Sequence, residues 1–283
     1  MTGTALISVL AIWGTGWFIN TRLAASAVAH TRVVRLLVPA IFGLTLLIMW
    51  ELLVRLLEIS PVILPAPTAI ASRFAQELPT LWVDFEQTII KGAMTGYIVG
   101  TIAAFAVAVL ADRSPFLTQG ILPVGGFMAA LPIVGIAPIF VKWLGSNWES
   151  KAAVVAVMVF FPILVNTVAG LRDTTVMQRD LTRTYGATYW TALFKLRLPA
   201  AMPFVFNGLK IATTLALIGA IVAEFFGSPT VGMGFRISTM AGRLALDMVW
   251  AEIVVAAITG SAFYGMMAWI EGRVTFWHPS QRK

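Results

Sequence analysis

The sequence contains no cysteine, only two histidines and few charged residues. The absence of cysteine excludes disulfide bonds and thiolate metal sites. The two histidines, His30 and His278, lie near opposite ends of the 283-residue chain, so we expect no histidine-based metal centre. Charged residues make up 12% of the chain, which leaves too little polar surface to cover a water-soluble protein of this length.

Long apolar runs take the place of that polar surface, because 59% of the residues are hydrophobic. In hydrocarbon each backbone amide must be hydrogen-bonded within its own segment, and the runs lack the alternation of a transmembrane barrel. The sequence therefore predicts an all-α polytopic membrane protein. Seven runs are long enough to cross the bilayer or nearly so. We place these spans at residues 4–21, 36–57, 88–110, 119–143, 152–170, 203–226 and 247–270.

The basic residues indicate the orientation of the chain. The formal net charge of +7 does not indicate nucleic-acid binding, because Lys and Arg lie in short segments between apolar runs. Twelve of the 20 lie on one side, in the segments 22–35, 111–118, 171–202 and 271–283. The positive-inside rule makes that side cytosolic, so we expect an outer N-terminus and a cytoplasmic C-terminus.

The first apolar run has two interpretations. Ala27-Val28-Ala29 is typical of a signal-peptide cleavage site, but no basic residue precedes the run and Arg22 follows it. We therefore expect an accessory transmembrane helix and a cytosolic linker over residues 1–35, with a cleaved signal peptide as the alternative. The main transmembrane domain then covers residues 36–283.

Residues 68–85 have apolar side chains at near-helical spacing with polar residues between them. This pattern predicts an amphipathic segment that packs on the outer membrane interface, with direct substrate contact as the alternative. Thr68 is expected to cap it, and Pro79 to break or kink it.

One long polar loop, at about residues 172–202, faces the cytosol. A short helix held across the inner face of a membrane domain can receive mechanical work from a nucleotide-hydrolysing partner. Asp180 is expected at the start of such a helix, as N-cap or first-turn anion. Gly186 permits a sharp turn, while Pro199 and Pro203 are expected to stop the helix before the next span. The alternative is that Gly186 and Pro199 merely turn the chain between two spans.

The spacing of this loop resembles the conserved loop of binding-protein-dependent ABC importer permeases. The pattern is an acidic residue, five residues, glycine, nine residues, and then aliphatic-x-Leu-Pro. Asp180-Leu181-Thr182 stands where the family has Glu-Ala-Ala, and Leu196 where isoleucine is usual. The matching residues are Gly186, Ala187, Leu198 and Pro199.

The resemblance covers roughly residues 45–278. Four further segments are similar to the nitrate, sulfonate and taurine branch, namely Trp50-Glu51-Leu52-Leu53, Leu64-Pro65-Ala66-Pro67, Ala130-Leu131-Pro132 with Pro138, and Ala223-Glu224. Three others look similar to permeases linked to pyrimidine, thiamine-precursor or riboflavin uptake, namely Phe160-Phe161-Pro162, Gly234-Phe235-Arg236-Ile237-Ser238 and Phe276-Trp277-His278-Pro279.

The resemblance implies a type I permease core of six transmembrane helices in a bacterial inner membrane, to which residues 4–21 add a helix. It also implies a second permease copy in a homodimer, a cytosolic ABC ATPase dimer and a periplasmic solute-binding protein. The sequence contains no Gly-Lys dipeptide and hence no phosphate-binding loop of the Gly-x-x-x-x-Gly-Lys type. We expect no cofactor in this chain, with ATP and magnesium bound by the partner ATPase.

Polar residues inside the spans are candidates for the translocation pathway, because such residues tend to face protein or water. The candidates are Asn166, Asn207, Lys210, Thr213, Thr214 and Glu224. For each, the alternative is a hydrogen bond between helices or, near the inner end, snorkelling to the interface. Glu224 is the strongest candidate, as part of an outer gate or an interhelical pair.

Two other functional classes remain open. A proton-coupled secondary transporter would use Glu224 as its proton carrier, but the chain lacks matching Gly/Pro-interrupted half-repeats. A membrane-embedded enzyme would need a catalytic cluster, and no nucleophile with a neighbouring base is evident.

Overall fold

The computed structural model describes residues 2–26, 31–129, 132–227 and 230–278. Within these ranges every regular element is a helix, which confirms the predicted all-α class. The possible cleavage site Ala27-Val28-Ala29, His30, and Ala130-Leu131 lie outside the described residues, as does Pro279. The helices are α1 Thr2–Ala24, α2 Arg32–Leu56, α3 Pro67–Gln76, α4 Leu78–Phe85, α5 Thr95–Asp112, α6 Pro115–Ala129, α7 Ile133–Leu144, α8 Trp148–Arg172, α9 Val176–Thr184, α10 Tyr189–Ala192, α11 Leu198–Glu224, α12 Met233–Gly242 and α13 Leu246–Val274.

Two π-helical segments connect some of these helices into longer runs. Residues Glu86–Met94 join α4 to α5, and residues Leu193–Arg197 join α10 to α11. In the described part of the chain, five helical runs are long and apolar enough to cross a membrane: Val33–Leu56, Leu78–Asp112, Trp148–Arg172, Tyr189–Glu224 and Leu246–Val274. The helix α1 coincides with the first predicted span, whose membrane crossing stays a prediction.

The prediction of one continuous helix over residues 119–143 is wrong. The structure has two helices there, α6 and α7, which are bent by more than 40° and together form a sixth candidate span. Pro132 precedes α7 in an extended conformation as its N-cap. Proline has no amide hydrogen to donate, so a continuous helix is disfavoured at this position.

The segment predicted at the outer interface is helical but starts differently from the expectation. The helix α3 ends at Gln76 and α4 begins at Leu78, so the break expected near Pro79 is confirmed. The cap expected at Thr68 is wrong, because Ala66 is the N-cap and Pro67 occupies the first turn.

The chain divides into two compact units. The first comprises residues up to Leu78 together with Thr239–Glu252, and the second comprises the remainder. In the first unit, Glu51 of α2 accepts hydrogen bonds from the backbone N–H of Thr68 (2.9 Å) and from its hydroxyl (2.7 Å). Glu51 also pairs with Arg55 one turn along α2, so a single carboxylate ties the start of α3 to α2. The predicted division at residue 35 stays a prediction.

The second unit has its core around α8, which packs between α5 and α11. Gly96 and Gly100 of α5 face the backbone of α8 so closely that a Cβ atom on either glycine would collide with Ala152 or Ala156. Small residues permit such close contact between membrane helices. The fully buried side chains include Ala104, Ala108, Val155, Val159, Ile163, Ala212, Ala216 and Ala220. This core fixes the ends of α5, α8 and α11, where the candidate sites lie.

Candidate functional site

The loop between α8 and α11 contains the short helix α9, and its start differs from the prediction. Thr175 is the N-cap and accepts a hydrogen bond from the backbone N–H of Gln178 (3.2 Å). The Gln178 side chain in turn accepts one from the backbone N–H of Thr175, which completes a capping box. The predicted role of Asp180 as N-cap or first-turn anion is therefore wrong. The Thr-x-x-Gln spacing of Thr175 and Gln178 is the sequence signal that identifies the true start.

The end of α9 confirms the sharp turn expected at Gly186. The residue has φ of +69°, in the left-handed region that favours glycine. Its N–H donates to the carbonyl of Arg183 (2.9 Å), and the N–H of Ala187 donates to that of Thr182 (3.1 Å). These two bonds form a Schellman motif, which satisfies the last carbonyls of the helix.

Between these caps, α9 has no buried residue. Met177, Leu181 and Tyr185 follow one another at four-residue intervals and are exposed by 82%, 57% and 83%. Residues four apart lie on one helix face, and Tyr185 is the C-cap residue of α9, so the three side chains form a continuous apolar strip along α9 and its C-cap. Asp180 lies beside this strip, is exposed and pairs with Arg183 at 3.5 Å.

The expectation that Pro199 and Pro203 stop a helix is wrong. Helical structure begins at Tyr189, behind the N-cap Thr188, and continues through both prolines to Glu224. The π-helical segment precedes Pro199, and the N–H of Leu198 reaches back five residues to the carbonyl of Leu193. This wider turn shifts the hydrogen-bonding register just before the first proline, which cannot donate.

The other predicted loop residues have different environments. Leu196 and Ala187 are half-buried. Leu198 packs against the buried cluster of Leu171, Leu193, Ala201 and Val205. Leu198 therefore anchors the loop to the core of the second unit.

A buried ion pair fixes the end of this loop, and sequence reasoning missed it. Arg197 donates from two nitrogens to the two carboxylate oxygens of Asp112 at 2.7 and 2.5 Å. The same guanidinium donates to the carbonyl of Leu171 at the end of α8 (2.9 Å), and the Tyr189 hydroxyl donates to Asp112 (2.9 Å). The side chains of Arg197 and Asp112 are only 13% and 7% exposed. Because these residues are 85 positions apart, no local spacing could have paired them.

Arg113 strengthens this arrangement on the exposed side. Its guanidinium lies over the ring of Trp190 at 4.4 Å and that of Tyr189 at 5.0 Å. Both contacts are at cation–π distance. We call Asp112, Arg113, Tyr189 and Arg197 the loop clamp. It joins the ends of α5 and α8 to the segment that follows α9.

Glu224 lies in a second buried network at the far end of α11. Its carboxylate accepts hydrogen bonds from the Thr88 hydroxyl (2.8 Å) and from the backbone N–H of Gly234 (2.7 Å). The Thr88 hydroxyl accepts in turn from the N–H of Met233 (2.7 Å). Glu224 is 2% exposed, and Thr88 is fully buried. The geometry is that of an interhelical connection, holding the start of α12 against α11.

Asp84 extends the same network. It is fully buried and accepts from the N–H of Gly232 (2.6 Å) and from the guanidinium of Arg236 (2.7 Å). Lys151 is buried nearby and donates to the carbonyl of Ser146 (2.5 Å). The start of α12 is thus held by two carboxylates. Glu224 was expected in an interhelical pair, whereas Asp84 was not identified from sequence, since it lies 152 positions from Arg236.

The remaining pathway candidates form separate contacts. Lys210 pairs with Glu271 of α13 at 2.6 Å, and the buried Thr213 donates to the carbonyl of Lys210. Asn207 donates to the Asn166 side chain across α11 and α8 (3.1 Å). Lys210, Asn207 and Asn166 therefore connect helices, as the alternative interpretation expected, whereas the Thr213 bond lies within α11. Thr214 is exposed and lines an open groove between α11 and α13.

Comparison with known proteins identifies the family. The family model described as "Binding-protein-dependent transport system inner membrane component" matches residues 96–276, well over half of the chain. The chain belongs to this family. The matched residues extend from α5 to α13. The loop clamp, α9 and the Glu224 carboxylate therefore all lie within them.

Individual relatives agree with this assignment. A probable ABC transporter permease protein of Haemophilus influenzae is 29% identical over 240 residues, or 84% of this chain and 96% of the relative. The formylaminopyrimidine transport permease protein ThiX of Halalkalibacterium halodurans is 28% identical over 86% of this chain and 96% of the relative. The riboflavin transport system permease protein RibX of Chloroflexus aurantiacus is 29% identical over 83% of this chain and 88% of the relative.

These findings confirm the predicted class. The protein is a multi-pass permease subunit of an ABC importer, in the nitrate, sulfonate and taurine branch, and moves a small solute. It is a transport subunit and not an enzyme. Membership in the family implies an ATPase partner and a binding-protein partner.

Proposed function

We propose that two copies of this permease form a homodimer that receives ATP-driven closure of a cytosolic ATPase dimer through α9. A periplasmic binding protein delivers the solute, and the permease releases it to the cytoplasm by alternating access. ATP and magnesium are bound by the ATPase, and this chain carries no cofactor.

The observation that carries the proposal is the apolar strip of Met177, Leu181 and Tyr185 on α9. A helix with no buried residue and three large exposed apolar side chains on one face is typical of an element that docks into a groove of a partner. The Schellman turn at Gly186 sets the direction in which the chain leaves α9.

The loop clamp supplies the rigid connection that such a helix needs. A force on α9 is transmitted only if the segment after it cannot yield. Arg197 is held by Asp112 on α5 and by the Leu171 carbonyl at the end of α8. In the proposed mechanism, movement of α9 is therefore transmitted to α5, α8 and α11 together.

We place α9 and the C-terminus in the cytoplasm and the chain in a bacterial inner membrane. The distribution of Lys and Arg supports this orientation, since the loops on this side contain twelve of the 20 basic residues. Arg179 and Arg183 of α9 are among them.

The solute class has two kinds of candidate. ThiX and RibX carry the names of nitrogen heterocycles, formylaminopyrimidine and riboflavin, whereas the Bacillus subtilis relative SsuC is named for aliphatic sulfonates. We propose a small solute of one of these classes for this permease.

The test of the docking function is a pair of substitutions at Leu181. Leu181→Asp places a charge in the apolar strip and is expected to prevent co-purification of the ATPase and transport-coupled ATP hydrolysis. Leu181→Met keeps an apolar side chain of similar volume and is expected to retain most of both. Unchanged ATPase binding by Leu181→Asp would refute the proposal.

A further inference from the structure

The open groove between α11 and α13 has a chemical character that bears on the solute. It has a volume of about 630 Å³. Its walls are made by one face of α11 and one face of α13. Thr214, Ser261 and Tyr264 are its polar lining residues, the others are aliphatic residues and one glycine, and none is charged.

The polar groups of the groove lie near the middle of the two spans. Thr214 is ten residues before the end of α11, and Ser261 and Tyr264 are near the centre of α13. All three side chains are exposed, Tyr264 by 48%. Polar side chains at this depth usually face protein or water and not lipid. The three hydroxyl groups therefore give the groove hydrogen-bonding capacity at mid-membrane depth.

The cations of the two groove-forming helices are engaged elsewhere. Lys210 is the only cationic residue of α11, and its ammonium group pairs with Glu271 at 2.6 Å. Arg273 is the only one of α13, and its guanidinium lies over the Trp269 ring at 4.9 Å. Neither Lys210 nor Arg273 belongs to the groove lining. An anion in the groove would thus gain no counter-ion from either helix, and a charge that loses hydration without a counter-ion is disfavoured.

We infer that this groove contacts the solute during transport and that it accepts an uncharged, planar, ring-containing solute and disfavours an oxyanion such as a sulfonate or nitrate. The inference rests on the proposed transport function and narrows its solute class. The hydroxyl groups of Thr214 and Ser261 offer hydrogen bonds to ring nitrogens or carbonyl oxygens. The Tyr264 ring offers a face for stacking, and the aliphatic walls cover the apolar faces of the ring.

The absence of cysteine from the sequence makes the test direct, because each engineered thiol is then the only one in the permease. Thr214→Cys and Ser261→Cys are prepared in the assembled transporter, with its ATPase and binding protein, and treated with a water-soluble maleimide. Ile258→Cys, on the same helix as Ser261 but outside the groove, is the matched control. We expect both groove thiols to react and the control thiol to stay unlabelled.

Protection by added compounds then identifies the occupant. Riboflavin and formylaminopyrimidine are the uncharged ring probes, and nitrate and hexanesulfonate are the anionic probes. We expect at least one ring probe to slow labelling severalfold and neither anion to do so. Protection by an anion, or no protection by either ring probe, overturns the inference. Groove thiols that never react would indicate that lipid covers the groove, and this result also overturns the inference. Cross-linking of two permease copies through these thiols overturns it as well.

Substitutions of Tyr264 give an independent test, in which the uptake of the probe that protects the groove thiols is measured. Tyr264→Ala is expected to raise KM about threefold to tenfold, which corresponds to loss of one aromatic contact. Tyr264→Phe keeps the ring and is expected to raise it less. Equal effects of the two variants contradict the stacking role. Because the Leu181 variants test ATPase docking separately, failure of the groove experiment leaves the proposed function standing, and the reverse also holds.

Discussion

Gly186 combines a left-handed backbone with open space around its Cα atom. Its φ is +69°, and a Cβ atom built there would meet no other heavy atom within 4 Å. The constraint at this position is therefore the backbone conformation and not the volume of the side chain. Asparagine adopts this conformation readily, whereas a β-branched residue does so only with strain.

We predict that Gly186→Val weakens the coupling of ATP hydrolysis to transport, because the Schellman turn that ends α9 is strained by about 1–2 kcal/mol. Gly186→Asn is the control and is expected to retain most of the coupling. The measurement is solute-stimulated ATP hydrolysis in the assembled transporter. Equal behaviour of Val and Asn would show that the left-handed turn is not needed.

Arg197 is predicted to contribute to stability as well as to coupling. Arg197→Gln leaves the Asp112 carboxylate buried without its counter-ion, which typically costs about 3–5 kcal/mol. Arg183 forms an ion pair with Asp180 at 3.5 Å, and the two side chains are 79% and 59% exposed. Arg183→Gln is therefore the control and should cost about 1 kcal/mol or less. The measurement is the thermal unfolding midpoint of the purified permease, and similar midpoints for the two variants would contradict a structural role of the clamp.

At the scale of elements, apolar runs predicted most helices well because each run must bury its backbone polar groups within itself. The span predicted at 152–170 corresponds to Trp148–Arg172, and that at 247–270 to Leu246–Val274. The boundaries extend further in the structure, since helix ends carry polar residues that a hydropathy pattern leaves out. The break between α6 and α7 was missed, although Pro132 and Pro138 lie within the predicted run.

Proline was a less reliable guide at the start of α11. Pro199 and Pro203 were expected to stop a helix, but the π-helical segment Leu193–Arg197 lets the helix continue through them. A π-helical segment depends on the packing around it, and no residue pattern in this loop predicts it. The loop clamp was likewise not predictable from spacing, because its partners lie on three different helices.

The network around Glu224 permits a prediction that separates two mechanisms. Glu224→Gln keeps an oxygen that can accept from Thr88 and from the N–H of Gly234, so transport should persist. Glu224→Ala removes the acceptor and leaves buried donors unsatisfied, so stability and transport should fall. The measurement is ATP-dependent uptake at fixed pH. Complete loss of uptake in the Gln variant would instead favour a proton-carrying role for Glu224.

At the scale of the whole molecule, composition determined the class and charge distribution predicted the orientation. Only 12% of residues are charged, and the basic ones cluster in the loops on one predicted side. The conserved loop spacing around Gly186 identified the family, which the match over residues 96–276 confirms. The solute class was harder to predict from sequence, since in our proposal it depends on side chains that α11 and α13 contribute to one groove.

The central claim is that α9 lies in the cytosol and is covered by the ATPase. Tyr185, exposed by 83% at the end of the apolar strip, is the best position for a direct test. The measurement is labelling of the single thiol in Tyr185→Cys by a membrane-impermeant maleimide, in right-side-out and inside-out vesicles. We predict labelling only in inside-out vesicles stripped of the ATPase, and protection when the ATPase is restored. Labelling in right-side-out vesicles, or no protection by the ATPase, would contradict the claim.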